Sequence, residues 1–211
     1  PARLPPTPGF LLLDEPLAAL DAKLRAQVQL ELKDIQKRTG KTFFFVTHDQ
    51  DEALTMSDRI VVMNQGRVEQ SGTPEDLYHH PQSRFVAAFI GETNLFSGRV
   101  GAIDGEYLAL DWQGVTLQAA RGDRRPAIGQ TVTAALRPER VDLHISRPAD
   151  GKVIEGRIAK RVFKGSHSVF DIDVGAGAMV RAVAKSDAID GLHGDRLWIG
   201  WASASLTILR D

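Results

Sequence analysis

Apolar and polar residues follow two different patterns in the two parts of this chain. Up to about residue 91, short unbroken apolar runs alternate with stretches in which apolar residues recur every three or four positions. The unbroken runs predict strands buried on both faces, and the longer period predicts amphipathic helices. Beyond that point the apolar runs are short and separated by turn residues, so they predict strands only.

The first part begins with a strand, a helix and a second strand. Residues 10–13 and Thr42–Val46 are the two apolar runs, and a helix is predicted between them over residues 22–38. This order predicts a βαβ unit with parallel strands. Charged residues, Arg25 among them, lie mostly off the apolar stripe of the helix, which we expect to face the core. The members of the stripe are Leu24, Val28, Leu32 and Ile35.

Residues with capping chemistry mark the ends of several predicted helices. Asp21 is placed to cap the first helix and Gly40 to end it. Asp49, with Glu52 three residues later, predicts a short helix that begins with a near capping box. A hairpin turning at residues 64–66 follows, then a helix starting at Thr73-Pro74 and a last apolar helix over residues 84–90.

The second part predicts two sets of about five short strands, which are typical of a small barrel or a pair of barrel halves. The predicted strands cover residues 98–100, 107–110, 115–117, 131–136, 153–163, 169–174, 179–183, 197–201 and 206–209. We expect Trp112, Trp198 and Trp201 to be core or interface residues. Lys160, Arg161 and Lys164 are expected to form a solvated basic face.

Composition limits the functions open to the chain. Its 211 residues are 43% hydrophobic and 25% charged, with a formal net charge of −1 and no cysteine. No overall basic field attracts nucleic acid, and disulfides, thiol catalysis and cysteine-bound metals are excluded. No apolar run approaches the roughly 18 residues needed to cross a bilayer. Four prolines among the first nine residues exclude a helix interior there. The chain thus begins one short loop before a predicted buried strand, from which we expect it to be a fragment.

Candidate chemistry lies where the two parallel strands end. Asp14 and Glu15 follow the first strand, and His48 follows the second. Parallel strands have their C-terminal ends on the same edge, which is where open α/β sheets bind ligands. The alternatives are an exposed acidic turn and a structural histidine. A histidine that shares an edge with paired carboxylates is the better candidate for chemistry.

These motifs resemble those of the ATP-binding-cassette (ABC) ATPases. Residues 10–16 resemble the Walker B strand, residues 17–21 the D-loop and residues 47–49 the switch-histidine loop. Residues 52–54, 57–63, 66–68, 72–74 and 85–91 are similar to the importer branch. That branch appends a C-terminal domain of transport-associated OB-fold (TOBE) segments, and residues 136–139 resemble its hallmark. The family's phosphate-binding loop, glutamine loop and signature motif are not among the 211 residues.

The resemblance implies the fold class and the division of the chain. We expect an α/β cassette remnant (a parallel βαβ unit) over residues 1–92. An all-β, OB-like barrel domain with a regulatory role is expected over residues 93–211.

The resemblance also implies roles for four residues. Asp14 would bind Mg²⁺ and Glu15 would be the general base. His48 would reach the γ-phosphate, and Asp21 would communicate across a dimer. ATP and Mg²⁺ are the cofactors implied for the intact protein, while residues 1–211 alone are expected to be inactive.

Partners and cargo follow from the same resemblance. It implies a homodimer of ATPase subunits, transmembrane permeases and, indirectly, a substrate-binding protein, with no nucleic acid. The location implied is peripheral, at the cytoplasmic face of the bacterial inner membrane. Residues 163–165 and 198–201 resemble the spermidine/putrescine branch. Importers of sugar, glycerol phosphate, ferric iron or phosphonate are alternatives. A dimerisation module without ATPase activity is another, and a soluble cassette protein of translation or repair is disfavoured by the TOBE-like tail.

Overall fold

The computed structural model describes residues 9–149, 152–185 and 196–210. The expectations for the proline-rich start concern residues 1–8 and lie outside the described residues. The chain divides into two compact units, residues 1–79 and residues 80–211. The division at residues 92 and 93, which the resemblance implies for the family's domains, stays a prediction.

The first unit contains the predicted βαβ arrangement. Strand β1 (Phe10–Asp14) is parallel to β2 (Thr42–Val46), with Phe10 opposite Thr42 and Asp14 opposite Val46. Helix α1 (Ala22–Thr39) joins them. The unit continues with three further elements and ends with a helix: α2 (Gln50–Met56), β3 (Ile60–Asn64), β4 (Arg67–Gly72) and α3 (Pro74–His79).

Local capping chemistry fixes the ends of these elements as the sequence predicts. The carboxylate of Asp21 accepts from the backbone N–H groups of Lys23 and Leu24, and Gly40 ends α1 at a φ of 62°. Thr73 and Asp76 form a reciprocal capping box, since each side chain accepts from the other's backbone N–H. Such bonds satisfy N–H groups that the helix itself leaves unpaired.

The burial predicted for β1, β2 and α1 is wrong. Phe10 and Leu12 are 61% and 64% exposed, and Phe44 and Val46 on the same face of the sheet are also exposed. Helix α1 has no buried residue. The physical reason is that β1 and β2 form a sheet of two strands, which within the described residues has too little surface around it to cover both faces.

The second unit is mainly β-structure, as predicted. Its elements are α4 (Arg84–Phe89), β5 (Asn94–Asp104), β6 (Tyr107–Trp112), β7 (Val115–Ala120), β8 (Thr131–Leu136), β9 (Asp142–His144), β10 (Val153–Phe163), β11 (His167–Asp173), β12 (Met179–Lys185), β13 (Arg196–Gly200) and β14 (Thr207–Ile208).

Strand order shows how the two expected sets of strands are connected. Five strands close a barrel in the order β14-β7-β6-β5-β8, and five others form a sheet in the order β12-β11-β10-β13-β9. The last strand therefore returns to the first set instead of completing the second. Thr207 pairs with Ala120 of β7 in parallel and with Ala135 of β8 in antiparallel fashion.

Buried aromatic and aliphatic side chains form the core of the second unit. The Phe96 ring lies edge-on to Trp112, with 4.8 Å between centroids, and stacks on Trp201. Trp112 is thus a core residue, as expected. The Trp198 ring has the Arg147 guanidinium over its face, 5.0 Å from the ring centroid. Lys160, Arg161 and Lys164 are exposed, which confirms the solvated basic face.

Candidate active site

Glu15 and His48 meet at the ends of the two parallel strands. The Glu15 backbone N–H donates to the Val46 carbonyl at 2.8 Å, which extends the pairing of β1 and β2 by one step. His48 Nδ1 then lies 3.1 Å from Glu15 Oε1. An ionised carboxylate can only accept, so Nδ1 carries the hydrogen of this bond. The side chains are 75% and 50% exposed, so the pair faces solvent.

The backbone of Glu15 is unusual for a residue with a side chain. Its φ is 41°, in the left-handed region that glycine adopts most easily. The strand stops there, and the Ala18 N–H donates to the Glu15 carbonyl at 3.3 Å as the chain turns. This conformation turns the chain sharply where the carboxylate must meet His48. Such conformations cost free energy and concentrate at functional sites.

Asp14 lies at the same strand ends, opposite Val46 in the register, with its carboxylate exposed. Across the described parts of the chain, no three His, Asp or Glu side chains are grouped as a metal site. Mg²⁺ is usually held by one or two carboxylates together with waters and phosphate oxygens. Asp14 fits that mode as a single oxygen donor.

The Asp21 carboxylate caps helix α1. Its Oδ1 accepts from Lys23 N and Leu24 N, both at 3.0 Å, at the start of α1. The structure thus brings Glu15 and His48 together, places Asp14 at the same edge and puts Asp21 at a helix end. The roles of all four residues stay predictions.

Sequence reasoning missed the contacts of Arg25. Its Nη1 donates to Asp49 Oδ2 at 3.1 Å, and its Nη2 donates to the Leu20 carbonyl at 3.0 Å. The Arg25 guanidinium therefore joins residues 17–21 to residues 47–49. The sequence places Arg25 only on the polar side of α1, and no local pattern links it to Asp49.

The start of α2 also differs from the predicted near capping box. Asp49 caps the helix as expected, with Oδ1 accepting from Asp51 N at 2.9 Å and Glu52 N at 3.2 Å. The Glu52 carboxylate, however, accepts the Thr47 hydroxyl at 2.7 Å, and that hydroxyl oxygen accepts from the Asp49 N–H at 3.0 Å. Thr47 thus takes the place that Glu52 would have in a capping box.

Comparison with known proteins identifies relatives over nearly the whole chain. Residues 134–209 match the model of the TOBE domain. The spermidine/putrescine import ATP-binding protein of Rubrobacter xylanophilus is 45% identical over 206 residues, which are 96% of this chain and 54% of that protein. The protein of the same name from Ruegeria pomeroyi is 44% identical over 99% of this chain and 56% of its own length. The chain therefore spans about half the length of these relatives.

One solved structure resembles part of the fold. The cytoplasmic molybdate-binding protein ModG matches 56% of this chain and 96% of its own, with a TM-score of 0.51 and 16% identity. At that identity the likeness concerns the fold alone. None of the described helices is both long enough and apolar enough to span a membrane.

Proposed function

We propose that this chain acts in an ATP-hydrolysing subunit of a bacterial importer of the ABC family. Support comes from the match of residues 134–209 to the TOBE domain and from import ATP-binding proteins that are 44–45% identical over nearly all of this chain. The observation that carries the proposal is the contact between Glu15 and His48 at the ends of adjacent parallel strands. At this sheet edge the carboxylate and the histidine are within hydrogen-bond distance of each other. Together they can position a water molecule for attack on a phosphate.

Each residue then has a distinct task. Glu15 accepts a proton from the attacking water, and His48, fixed through Nδ1, presents its other ring nitrogen toward the phosphate side. Asp14 would hold Mg²⁺, directly or through water, and the bound ion would supply positive charge against the phosphates. Asp21, at the start of α1, is the D-loop residue that faces a second subunit in a homodimer.

These residues supply the water-activating half of an ATPase site. A backbone nest and a lysine that cradle the phosphates give such sites much of their affinity for nucleotide. The 211 residues contain no phosphate-binding loop. The exposed apolar face of β1 and β2 is a surface that further strands and helices of a complete cassette would cover.

Polyamines are the proposed cargo, with spermidine and putrescine as the named candidates. Support comes from the relatives' names and from the similarity over almost all of this chain. In this proposal the protein is a homodimer that binds transmembrane permeases at the cytoplasmic face of the inner membrane. A substrate-binding protein delivers the cargo to the permeases.

A fusion protein tests this function. The N-terminal half of the Rubrobacter xylanophilus relative, up to the point where similarity begins, is joined to residues 9–211 of this chain. We expect ATP hydrolysis by the purified fusion, a dimer by light scattering, and restored spermidine uptake in a strain lacking its own import ATPase. A well-folded fusion without hydrolysis would reject the ATPase proposal, and hydrolysis without uptake would reject the polyamine cargo alone.

A regulatory or dimerisation module without ATPase activity is the second candidate. The observation that favours it is the distribution of burial: the large buried core lies in the second unit, whereas α1 has no buried residue. Under this reading the fusion would dimerise but hydrolyse no ATP, and Glu15→Gln would change nothing.

A further inference from the structure

Among the residues that the structure describes, Arg25 is the one side chain that bonds to both the D-loop (residues 17–21) and the switch loop (residues 47–49). Its Nη2 donates to the Leu20 carbonyl at 3.0 Å and its Nη1 to Asp49 Oδ2 at 3.1 Å. A guanidinium presents its donors in a rigid planar fork, so these two bonds fix the distance between the two loops. A lysine, with a single ammonium group, has no such fork.

The switch-loop end of this contact is itself firmly held. Asp49 divides its carboxylate, since Oδ1 accepts from the first turn of α2 and Oδ2 accepts from Arg25. Thr47, on the other side of His48, donates to Glu52, whose side chain is only 7% exposed. His48 is therefore flanked on both sides by residues whose side chains are hydrogen-bonded, and any shift of Asp49 displaces it.

The third nitrogen of the Arg25 guanidinium, Nε, is buried and makes no hydrogen bond within the described part of the chain. Glu52 Oε1 is 4.0 Å away from it, outside hydrogen-bond range. An approach of about 1 Å would form that bond. Because a buried donor without a partner costs free energy, closing this distance would stabilise the contact between α1 and α2.

We propose that Arg25 is a positioning residue that couples the D-loop to His48, so that displacement of the D-loop changes the contact between His48 and Glu15. This inference rests on the proposed function, because the coupling matters only if Glu15 and His48 position the attacking water. A second subunit that displaces the D-loop would then control these two residues. The route runs from the Leu20 carbonyl through the guanidinium to Asp49 and His48.

Nuclear magnetic resonance of the 211-residue chain tests the coupling without nucleotide. Asp21→Ala removes the α1 cap and perturbs the D-loop, and the ring ¹⁵N resonances of His48 report the Nδ1 contact. We expect Asp21→Ala to shift these resonances in the wild-type background and to leave them unchanged in an Arg25→Gln background. In an Arg38→Gln background, which removes an exposed charge from the last turn of α1, the shift is expected to persist.

Arg25→Lys tests whether the coupling needs the guanidinium or only a positive charge. It also serves as a second variant in case Arg25→Gln does not fold. It keeps a positive charge beside Asp49 but lacks the planar fork that holds Leu20 and Asp49 at a fixed distance, so the response to Asp21→Ala is expected to be lost. A response that persists in both Arg25 variants, or that is missing from the wild-type background, overturns the proposal. Because no ATP is involved, a fusion that fails to hydrolyse ATP leaves this result unaffected.

Discussion

The side-chain amide of Asn94 pairs with the backbone of Arg181 as a neighbouring strand would. Asn94 Nδ2 donates to the Arg181 carbonyl at 2.8 Å, and the Arg181 N–H donates to Asn94 Oδ1 at 2.7 Å. Asn94 opens the first strand of the barrel, and Arg181 lies on β12, the edge strand of the other sheet. One buried amide thus links the barrel to the edge of the second sheet.

Replacing Asn94 with alanine is therefore expected to destabilise the protein by about 1–3 kcal/mol, because both backbone groups of Arg181 lose their partner in a partly buried place. Chemical denaturation followed by circular dichroism measures the change. Thr116→Ala, at an exposed position of β7, is the control, and about 0.5 kcal/mol or less is expected there. Equal losses in the two variants would show that the bridge contributes nothing.

Asp171 gives the stability of the second unit a pH dependence. The bidentate hydrogen bonds from Arg181, at 2.7 and 3.2 Å, hold the pKa of the Asp171 carboxyl below its usual value of 3.8, although burial acts in the opposite direction. The stabilisation is full above the pKa of the unfolded chain and is lost as the pH falls through the lowered pKa of the folded chain.

We therefore expect Asp171→Asn to lower the free energy of unfolding at pH 7 and to flatten its decline below about pH 4. Urea titrations between neutral and acidic pH measure both effects. Asp104→Asn is the control, because it removes an exposed carboxylate at the end of β5. An unchanged acid limb in Asp171→Asn would contradict the assignment.

Arg137 bonds to the C-terminal end of helix α4, although the two are far apart in the sequence. Its buried guanidinium donates through Nη1 to the carbonyls of Ala87, Gly91 and Glu92, all within 3.1 Å. Arg137→Met is expected to cost about 2–3 kcal/mol, since bonds from a charged donor to three buried or partly buried carbonyls are lost.

Denaturation midpoints and amide exchange in α4 measure that loss. Arg140→Met, which removes an exposed arginine three residues away, is expected to change little. Unaltered exchange in α4 after Arg137→Met would mean that the helix ends independently of this side chain.

In the fusion protein, Glu15→Gln is expected to reduce ATP turnover at least about a hundredfold, because the proton acceptor is lost, while nucleotide binding remains. Steady-state hydrolysis and binding of a fluorescent ATP analogue measure the two quantities. Glu31→Gln on the exposed side of α1 is the control. Near-normal turnover by Glu15→Gln would remove Glu15 from its proposed role.

The 211-residue chain itself is expected to bind Mg²⁺–ATP more weakly than the micromolar range, because it contains no phosphate-binding loop. Isothermal titration of the chain with Mg²⁺–ATP measures this, with the active fusion as the positive control. Micromolar binding by the chain would show that another group of residues holds the phosphates.

Features set by neighbours in the sequence were predictable. The caps at Asp21 and Thr73 depend on residues two or three positions away, and the hairpin turn needs the positive φ of Gln65 and Gly66. The meeting of Glu15 and His48 was also predictable, because the ends of parallel strands share one edge of a sheet.

Features that depend on residues distant in the sequence were not predictable. Exposure of the β1–β2 face depends on how many strands surround it, which a single apolar run does not reveal. Arg25 and Arg137 resemble ordinary polar residues in the sequence, and their roles arise from carbonyls and carboxylates brought near by the fold. Asn94 likewise finds its partner 87 positions away.

The return of β14 to the first barrel has a consequence for synthesis of the chain on the ribosome. Strands β5 to β8 are complete by residue 136, yet β14, residues 207 and 208, lies between β7 and β8. The growing barrel therefore keeps two open strand edges until residues 207 and 208 have emerged, and such edges attract other chains. Early release, by a premature stop codon shortly before Thr207, leaves an aggregation-prone product in which nearly every residue of the barrel is already present.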